Sequence, residues 1–480
     1  MHKNPIFWSL LADVLRFGYA IILMPIVLIV FTPSDVVLWL TFIMLAGAIP
    51  IFDMGLAHTI QRTSAYVYAG ASEINAQKLP KSGSKIDLGL LASLLKGSQR
   101  LYLIITILAA LSFYTIGSIY VLSIAKEPDN YHNVFLWCLY ITGFLINFYF
   151  SYTVSIIFGR GDIISASKVQ IIFGVLYMFL AICFIFFGYT LDGICYSVLI
   201  ASLVSRSYAY KKLYGCPEIK KTLKMPVGNI GIKEFIDKIK GNAIKYGLVS
   251  LSIFMVSRVP SLLVVYFFGA DKASGFTFSI YVFSLLGIIS LIPFTISMPK
   301  MNEFAVRFGI TRVKPIFQLS WCVVLMTYLI ASCLVILFGP FILEAINSSI
   351  NFVSLPYLCI LALTGFLEAN HAVCANILTV QNKIPFYKQS LLTGVIIIIF
   401  IFIGYNEGLS IEQLIVVPFL IQLAFNNWYW PLQASKLFKI GYFDLLKESF
   451  LISYRFIRSK CSVTRYLLIV EVSRLTLFLG

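Results

Sequence analysis

Residues 316–338 read IFQLSWCVVLMTYLIASCLVILF, 23 positions without a charge, entered directly from Arg312 and Lys314. A helix rises about 1.5 Å per residue, and about 20 apolar residues cover the hydrocarbon core of a bilayer. The stretch therefore reads as a membrane-spanning helix that starts at a basic loop. The same ruler, moved outward in both directions, finds further spans at 10–31, 36–60, 101–125, 134–158, 169–189, 193–210, 244–269 and 276–298 before it. After it come 354–380, 391–404 with its flanks, and 411–430. The count is 12, in an all-α polytopic membrane protein.

Composition leads to the same place. Of 480 residues, 59% are hydrophobic and 12% charged, with a mean hydropathy of +0.90. Soluble domains carry about 25% charged residues, so this chain cannot cover itself in polar surface and lipid must be its solvent. The net charge of +16 does not mark a nucleic-acid binder. The charges lie between apolar stretches, with no continuous stripe and no zinc or RNA-binding motif beside them. Nine scattered cysteines, without a C-x-x-C spacing, and four histidines give neither a disulfide framework nor a metal site. The first apolar run holds Asp13 and Arg16, which a signal-peptide core would tolerate poorly, so it reads as a retained span.

The loops alternate in charge. One set holds Lys78, Lys81, Lys85 and Lys96, then ten basic residues from Arg206 to Lys245, then Lys300 to Lys314, Lys383, Lys388 and the C-terminal tail. The opposite set holds only Lys126 and Lys272. Setting these two and the intramembrane Arg16 and Arg258 aside leaves 33 of the 37 basic residues on one side, which the positive-inside rule makes cytoplasmic. Both termini are then cytoplasmic, and no outer loop is long enough for a catalytic domain.

The basic stretch near the centre divides the chain into a six-helix bundle at 1–210, a cytoplasmic linker at 211–243, a second six-helix bundle at 244–430 and a cytoplasmic or interfacial tail at 431–480. The linker is amphipathic if helical, with Ile232, Phe235, Ile236 and Ile239 on one face. Ile49-Pro50 and Ile292-Pro293 are offset by 243 positions, and Arg16 and Arg258 by 242. With an even number of spans in each half, such a repeat keeps its orientation, so a pseudo-two-fold axis along the membrane normal is expected.

No nucleotide-binding P-loop, nucleophile elbow or H-E-x-x-H pair occurs, so the sequence predicts neither an enzyme nor a cofactor. Gly159-Arg160-Gly161-Asp162 reads as a tight turn. The chemistry lies in ionisable groups inside spans, which are costly in hydrocarbon and face a bundle interior or wet cavity. Asp13 and Arg16 share a helix face at i,i+3, either as a neutralising pair or with Arg16 turned to a cavity. Arg258 has no acid within a turn or two of sequence and lies 13 positions beyond Lys245, about 20 Å along a helix. Arg16 and Arg258 are the candidate cavity cations for an anionic substrate. Asp53 and His58 form either an interfacial cap or part of a polar path. Glu368 and His371, again i,i+3, form either a proton relay or an interhelical hydrogen bond.

The segment Ile51-Phe52-Asp53-Met54-Gly55-Leu56 followed by Arg62, and the opening with Asn4, Trp8 and Arg16 before a tryptophan-bearing second span, resemble bacterial polysaccharide flippases. These belong to the multidrug/oligosaccharidyl-lipid/polysaccharide exporter superfamily. Length, span number, central linker and repeat match over most of the chain. The resemblance implies an O-antigen-type flippase of the bacterial inner membrane. Such a protein moves an undecaprenyl-diphosphate-linked oligosaccharide to the periplasmic leaflet by alternating access, with proton or sodium coupling and polysaccharide-assembly proteins as partners. A multidrug or cation exporter of the same superfamily would need an acidic cavity. A membrane polymerase or ligase would need a large basic periplasmic loop.

Overall fold

The computed structural model describes residues 5–70, 86–125, 130–223, 232–381 and 385–459, whose regular structure is all helix, with no strand among them. The helices are α1 (Pro5–Val30), α2 (Pro33–Ala46), α3 (Ile49–Asp53), α4 (Leu56–Tyr68), α5 (Leu88–Ser112), α6 (Ser118–Ile124), α7 (Asn130–Tyr149), α8 (Ser151–Gly159), α9 (Ile163–Phe186) and α10 (Leu191–Tyr214). They continue with α11 (Pro217–Leu223), α12 (Ile232–Ser257), α13 (Val259–Phe268), α14 (Ser274–Phe308), α15 (Lys314–Ala345), α16 (Leu355–Ile377), α17 (Tyr387–Asn406), α18 (Val416–Ala424), α19 (Asn426–Leu437) and α20 (Tyr442–Ser459). Every predicted span falls on helix. Among the described residues eight helices are long and apolar enough to cross a bilayer, and the pair α12–α13, bent by 40°, makes nine.

Side chains start the helices where the sequence offers caps. Thr32 accepts from the amide of Asp35 at 3.2 Å with Pro33 at the first position of α2, and Asp87 accepts from Gly89 and Leu90 at the head of α5; each satisfies amides that have no partner within the helix. The predicted turn at 159–162 is present, with Gly161 at φ +90° and Asp162 accepting from Ser165 at 3.1 Å. Burial pushes the Asp162 carboxyl up, but the Ser165 hydrogen bonds, Lys212 and Arg160 outweigh it and hold it below the usual range.

The chain forms two compact units. The first takes in Met1–Thr277 with Ile346–Asn351, the second Phe278–Ala345 with Phe352–Gly480. In the first unit α1 packs along α9, α9 along α10, and α10 along α7. Its core centres on Trp39, Phe42, Tyr102, Trp137 and Tyr152, all fully buried. A π-helical turn at Phe113–Gly117 widens the junction of α5 and α6 and frees the Phe113 carbonyl, which accepts from Trp137 Nε1 at 3.1 Å. Gly117 lets the indole close in, since a Cβ there would stand 2.8 Å from the ring. The excursion Ile346–Asn351 joins this unit because Ser349 donates to the carbonyls of Leu28 and Phe31 at the end of α1. In the second unit α15 packs on α16 and α20, and α16 on α19, around Phe317, Trp321 and Tyr328.

Two sequence expectations change. The second span, read as continuous over 36–60, is interrupted at Gly47-Ala48 and again at Met54 (φ 49°) and Gly55 (φ 70°). The boundary expected between linker and seventh span at 243–244 is not a break: α12 starts at Ile232 and continues through it. The side chains of the expected amphipathic face at 232–239, and the expected interfacial segment at 466–479, lie outside the described residues.

Candidate functional site

In the first unit the helix interruptions come together. Pro260 cannot donate to the carbonyl four residues earlier, and the chain breaks at Arg258, which takes φ −117° and heads α13. The half-buried Arg258 lies over the other interruption: its Nε is 3.6 Å from where a Cβ on Gly47 would be. About three turns earlier on α12, Tyr246 covers Gly55, and Met54 lies against Gly247. The break in α12–α13 is tied to α6 as well, through Tyr120 OH donating to the Leu262 carbonyl at 2.6 Å. Arg258 thus sits at a bend where two broken helices meet.

Asp53 ends α3 just before the left-handed pair Met54-Gly55. Its Oδ1 accepts from the buried Tyr102 hydroxyl at 2.6 Å, and its Oδ2 faces the Ala57 amide in the first turn of α4 at 3.5 Å. Arg206 is only 7% exposed and donates through Nε to Asn147 Oδ1 at 2.6 Å, while Asn147 Nδ2 donates to Ser202 at 2.9 Å. His58 is exposed on α4. Asp13 and Arg16 lie on α1, but their side chains are outside the described residues.

In the second unit Glu368 and His371 meet, with His371 Nδ1 3.8 Å from Glu368 Oε2. Glu368 Oε1 also accepts from Gln422 near the end of α18. The chain of polar groups runs on: Asn426 Nδ2 donates to Gln422 Oε1 at 2.9 Å and to Thr393 at 3.0 Å, and Trp430 Nε1 donates to Asn426 Oδ1 at 3.2 Å. The break at Phe425 (φ −140°, ψ −63°) between α18 and α19 places Gln422 and Asn426 side by side. One turn before Glu368, Gly365 makes room for the Tyr328 hydroxyl, which has no hydrogen-bond partner among the described residues. A carboxyl, an imidazole and two carboxamides in a half-buried cluster can take up and pass on a proton. Among the described residues no three His, Cys, Asp or Glu side chains gather to hold a metal ion.

No family model and no curated protein matches the sequence. Solved structures do. A multidrug-resistance MATE family transporter of the MOP superfamily, in an inward-facing conformation, aligns with a TM-score of 0.59 at 13% identity, over 91% of this chain and 99% of the other. The lipid II flippase MurJ, inward closed, aligns at 0.56 and 12% identity over 98% of both chains. The MATE multidrug transporter DinF-BH aligns at 0.55 and 16% identity over 91% and 96%. This is a MATE/MurJ-like transporter fold. A multi-pass membrane fold accounts for the apolar exterior of the helices, such as Leu103, Ile104, Ile107, Leu108 and Leu111 along α5.

Sequence reasoning placed Arg258, Asp53, Glu368 and His371 on spans. Within the transporter fold, Glu368 meets His371, and Asp53 meets Tyr102. It missed Arg206, counted among the basic loop residues although it stands four positions inside the predicted sixth span. It also missed Gln422, which lies 54 positions from its partner.

Proposed function

We propose that this chain flips an undecaprenyl-diphosphate-linked oligosaccharide, of O-antigen type, from the cytoplasmic to the periplasmic leaflet of a bacterial inner membrane by alternating access. The observation that carries the reading is Arg258, a guanidinium held at the bend between two interrupted helices beside Gly47. A planar cation pairs well with diphosphate oxygens, and a bend is where a moving helix pair can change its angle. Likeness to a lipid II flippase over 98% of both chains supports a lipid-linked cargo. Arg16 is the second cavity cation of this reading, with Asp13 as its neighbour. Glu368 and His371 form the ion-coupling site, protons being the ion that their chemistry favours; Asp53 and His58 belong to the polar path. Both termini are cytoplasmic, and the two six-helix halves are related by a two-fold axis along the membrane normal.

A second reading, a multidrug exporter of the same superfamily, is favoured by the likeness to MATE transporters and by the half-buried carboxyls of Asp53 and Glu368. Cells separate the two. Arg258→Gln, inserted at normal level, should abolish surface polysaccharide and leave lipid-linked units on the cytoplasmic leaflet, with drug tolerance unchanged. Normal polysaccharide together with lost drug tolerance would instead support the exporter.

A further inference from the structure

The final described helix, α20, is amphipathic in an unusual sense. Its inner face, Leu445, Ser449 and Ser453, is buried. Glu448 accepts from Lys314 Nζ at 2.8 Å and from Gln318 Nε2 at 2.9 Å, fixing α20 to the first turns of α15. Tyr442 and Ser453 are eleven positions, about 16 Å, apart on α20, yet they meet the consecutive residues Trp321 and Cys322. A helix running along α15 would meet residues spread over a similar length, so α20 crosses α15. The crossing lies within the first turns of a span that is entered from Arg312 and Lys314.

The outward face joins two chemistries. Phe443, Phe450 and Tyr454 are 81%, 44% and 62% exposed and fall within about 40° of one another around the helix. Lys447, Leu451, Arg455 and Arg458 stand exposed beside them. Among the described residues, exposed positions within the predicted spans are mostly apolar, as hydrocarbon requires, and the only exposed cation on them is Lys245 at the start of its span. Aromatic rings flanked by cations on a helix that crosses the head of a span match the boundary between acyl chains and headgroups instead. Glu448 is paired with Lys314, and the exposed Asp444 offsets one of the three cations Lys447, Arg455 and Arg458, so the face keeps a net charge of about +2.

We propose that the outward face of α20 docks on anionic phospholipid headgroups, seating the second unit at one surface of the bilayer and making its stability depend on lipid charge. The leaflet rests on the topology given under Proposed function, whereas the docking itself does not.

The test is hydrogen exchange of the α20 amides in the full chain, reconstituted in nanodiscs of phosphatidylcholine alone or with a quarter phosphatidylglycerol. Anionic lipid should slow exchange along α20 by about tenfold, and high salt should reverse this, because each cation near such a surface contributes appreciably and is screened by ions. Combining Lys447→Gln, Arg455→Gln and Arg458→Gln should remove the lipid dependence while exchange in α9 and α15 stays as in the wild type. That control shows that the variant is folded, and the readout is independent of what the protein transports. Equal exchange in both lipids would overturn the proposal, as would lipid dependence that survives the triple variant. Protection in neutral lipid that appears only with two copies per disc would assign the face to a second copy of the chain instead.

Discussion

Buried polar side chains in this protein are held by a few specific partners, and their energetics are testable one at a time. Tyr102 donates to the Asp53 carboxyl, whereas Tyr152 shares a hydrogen bond of 3.2 Å with another hydroxyl, that of Tyr214. Hydrogen bonds to carboxylates contribute about 1.5–3 kcal/mol and neutral ones about 0.5–1.5 kcal/mol. Tyr102→Phe should therefore lower the Tm in detergent clearly more than Tyr152→Phe does; equal shifts would mean that the Asp53 contact carries no special weight. The i,i+3 spacing made the meeting of Glu368 and His371 legible in sequence, because helical geometry alone brings such residues onto one face. Asp53–Tyr102, Glu368–Gln422 and Arg206–Asn147 were not legible. Each joins different helices, and nothing in a single sequence sets which helix faces which.

At the scale of the helix, apolar length was readable and interruption was not. Hydropathy is blind to the left-handed turn at Met54-Gly55, because both residues are apolar enough to continue a span. Pro50 and Pro260 are the available signals, each in the first turn of a helix that follows an interruption. The two proline landmarks of the repeat also differ locally, Pro50 opening the short α3 and Pro293 lying inside the continuous α14. The α3–α4 break is held by glycine. At φ +70° a side chain is strained, and a Cβ on Gly55 would stand 3.1 Å from the Tyr246 ring. Gly55→Ala should cost about 1–3 kcal/mol, read as a lowered Tm of the purified protein. An unchanged Tm would mean that α12 can move off this turn without cost.

For the molecule as a whole, the all-helical polytopic class followed from the ratio of charged to apolar residues. The sidedness proposed for its loops rests on the asymmetry of lysine and arginine. Reporter fusions after Lys85, Lys224 and Lys439 should report the cytoplasm, and those near Asp129, Asn347 and Glu407 the outside. Either terminus found outside would reverse the assignment of leaflets. Cargo is the harder inference, because neighbours with one fold move different substrates and fold does not fix function. In the proposed function, the guanidinium of Arg258 is the group that would favour an anionic lipid carrier over a cationic drug. The most direct measurement is flipping by the purified full-length protein in proteoliposomes loaded with a polyprenyl-diphosphate-linked oligosaccharide, read by a glycosidase added outside. Wild-type protein should expose the inner-leaflet pool. Arg258→Gln should slow this by at least about tenfold, the equivalent of one lost charge-assisted contact, and Arg258→Lys should recover part of the rate. Full-rate flipping by Arg258→Gln, or no flipping by the wild type while it moves a cationic drug, would contradict the account.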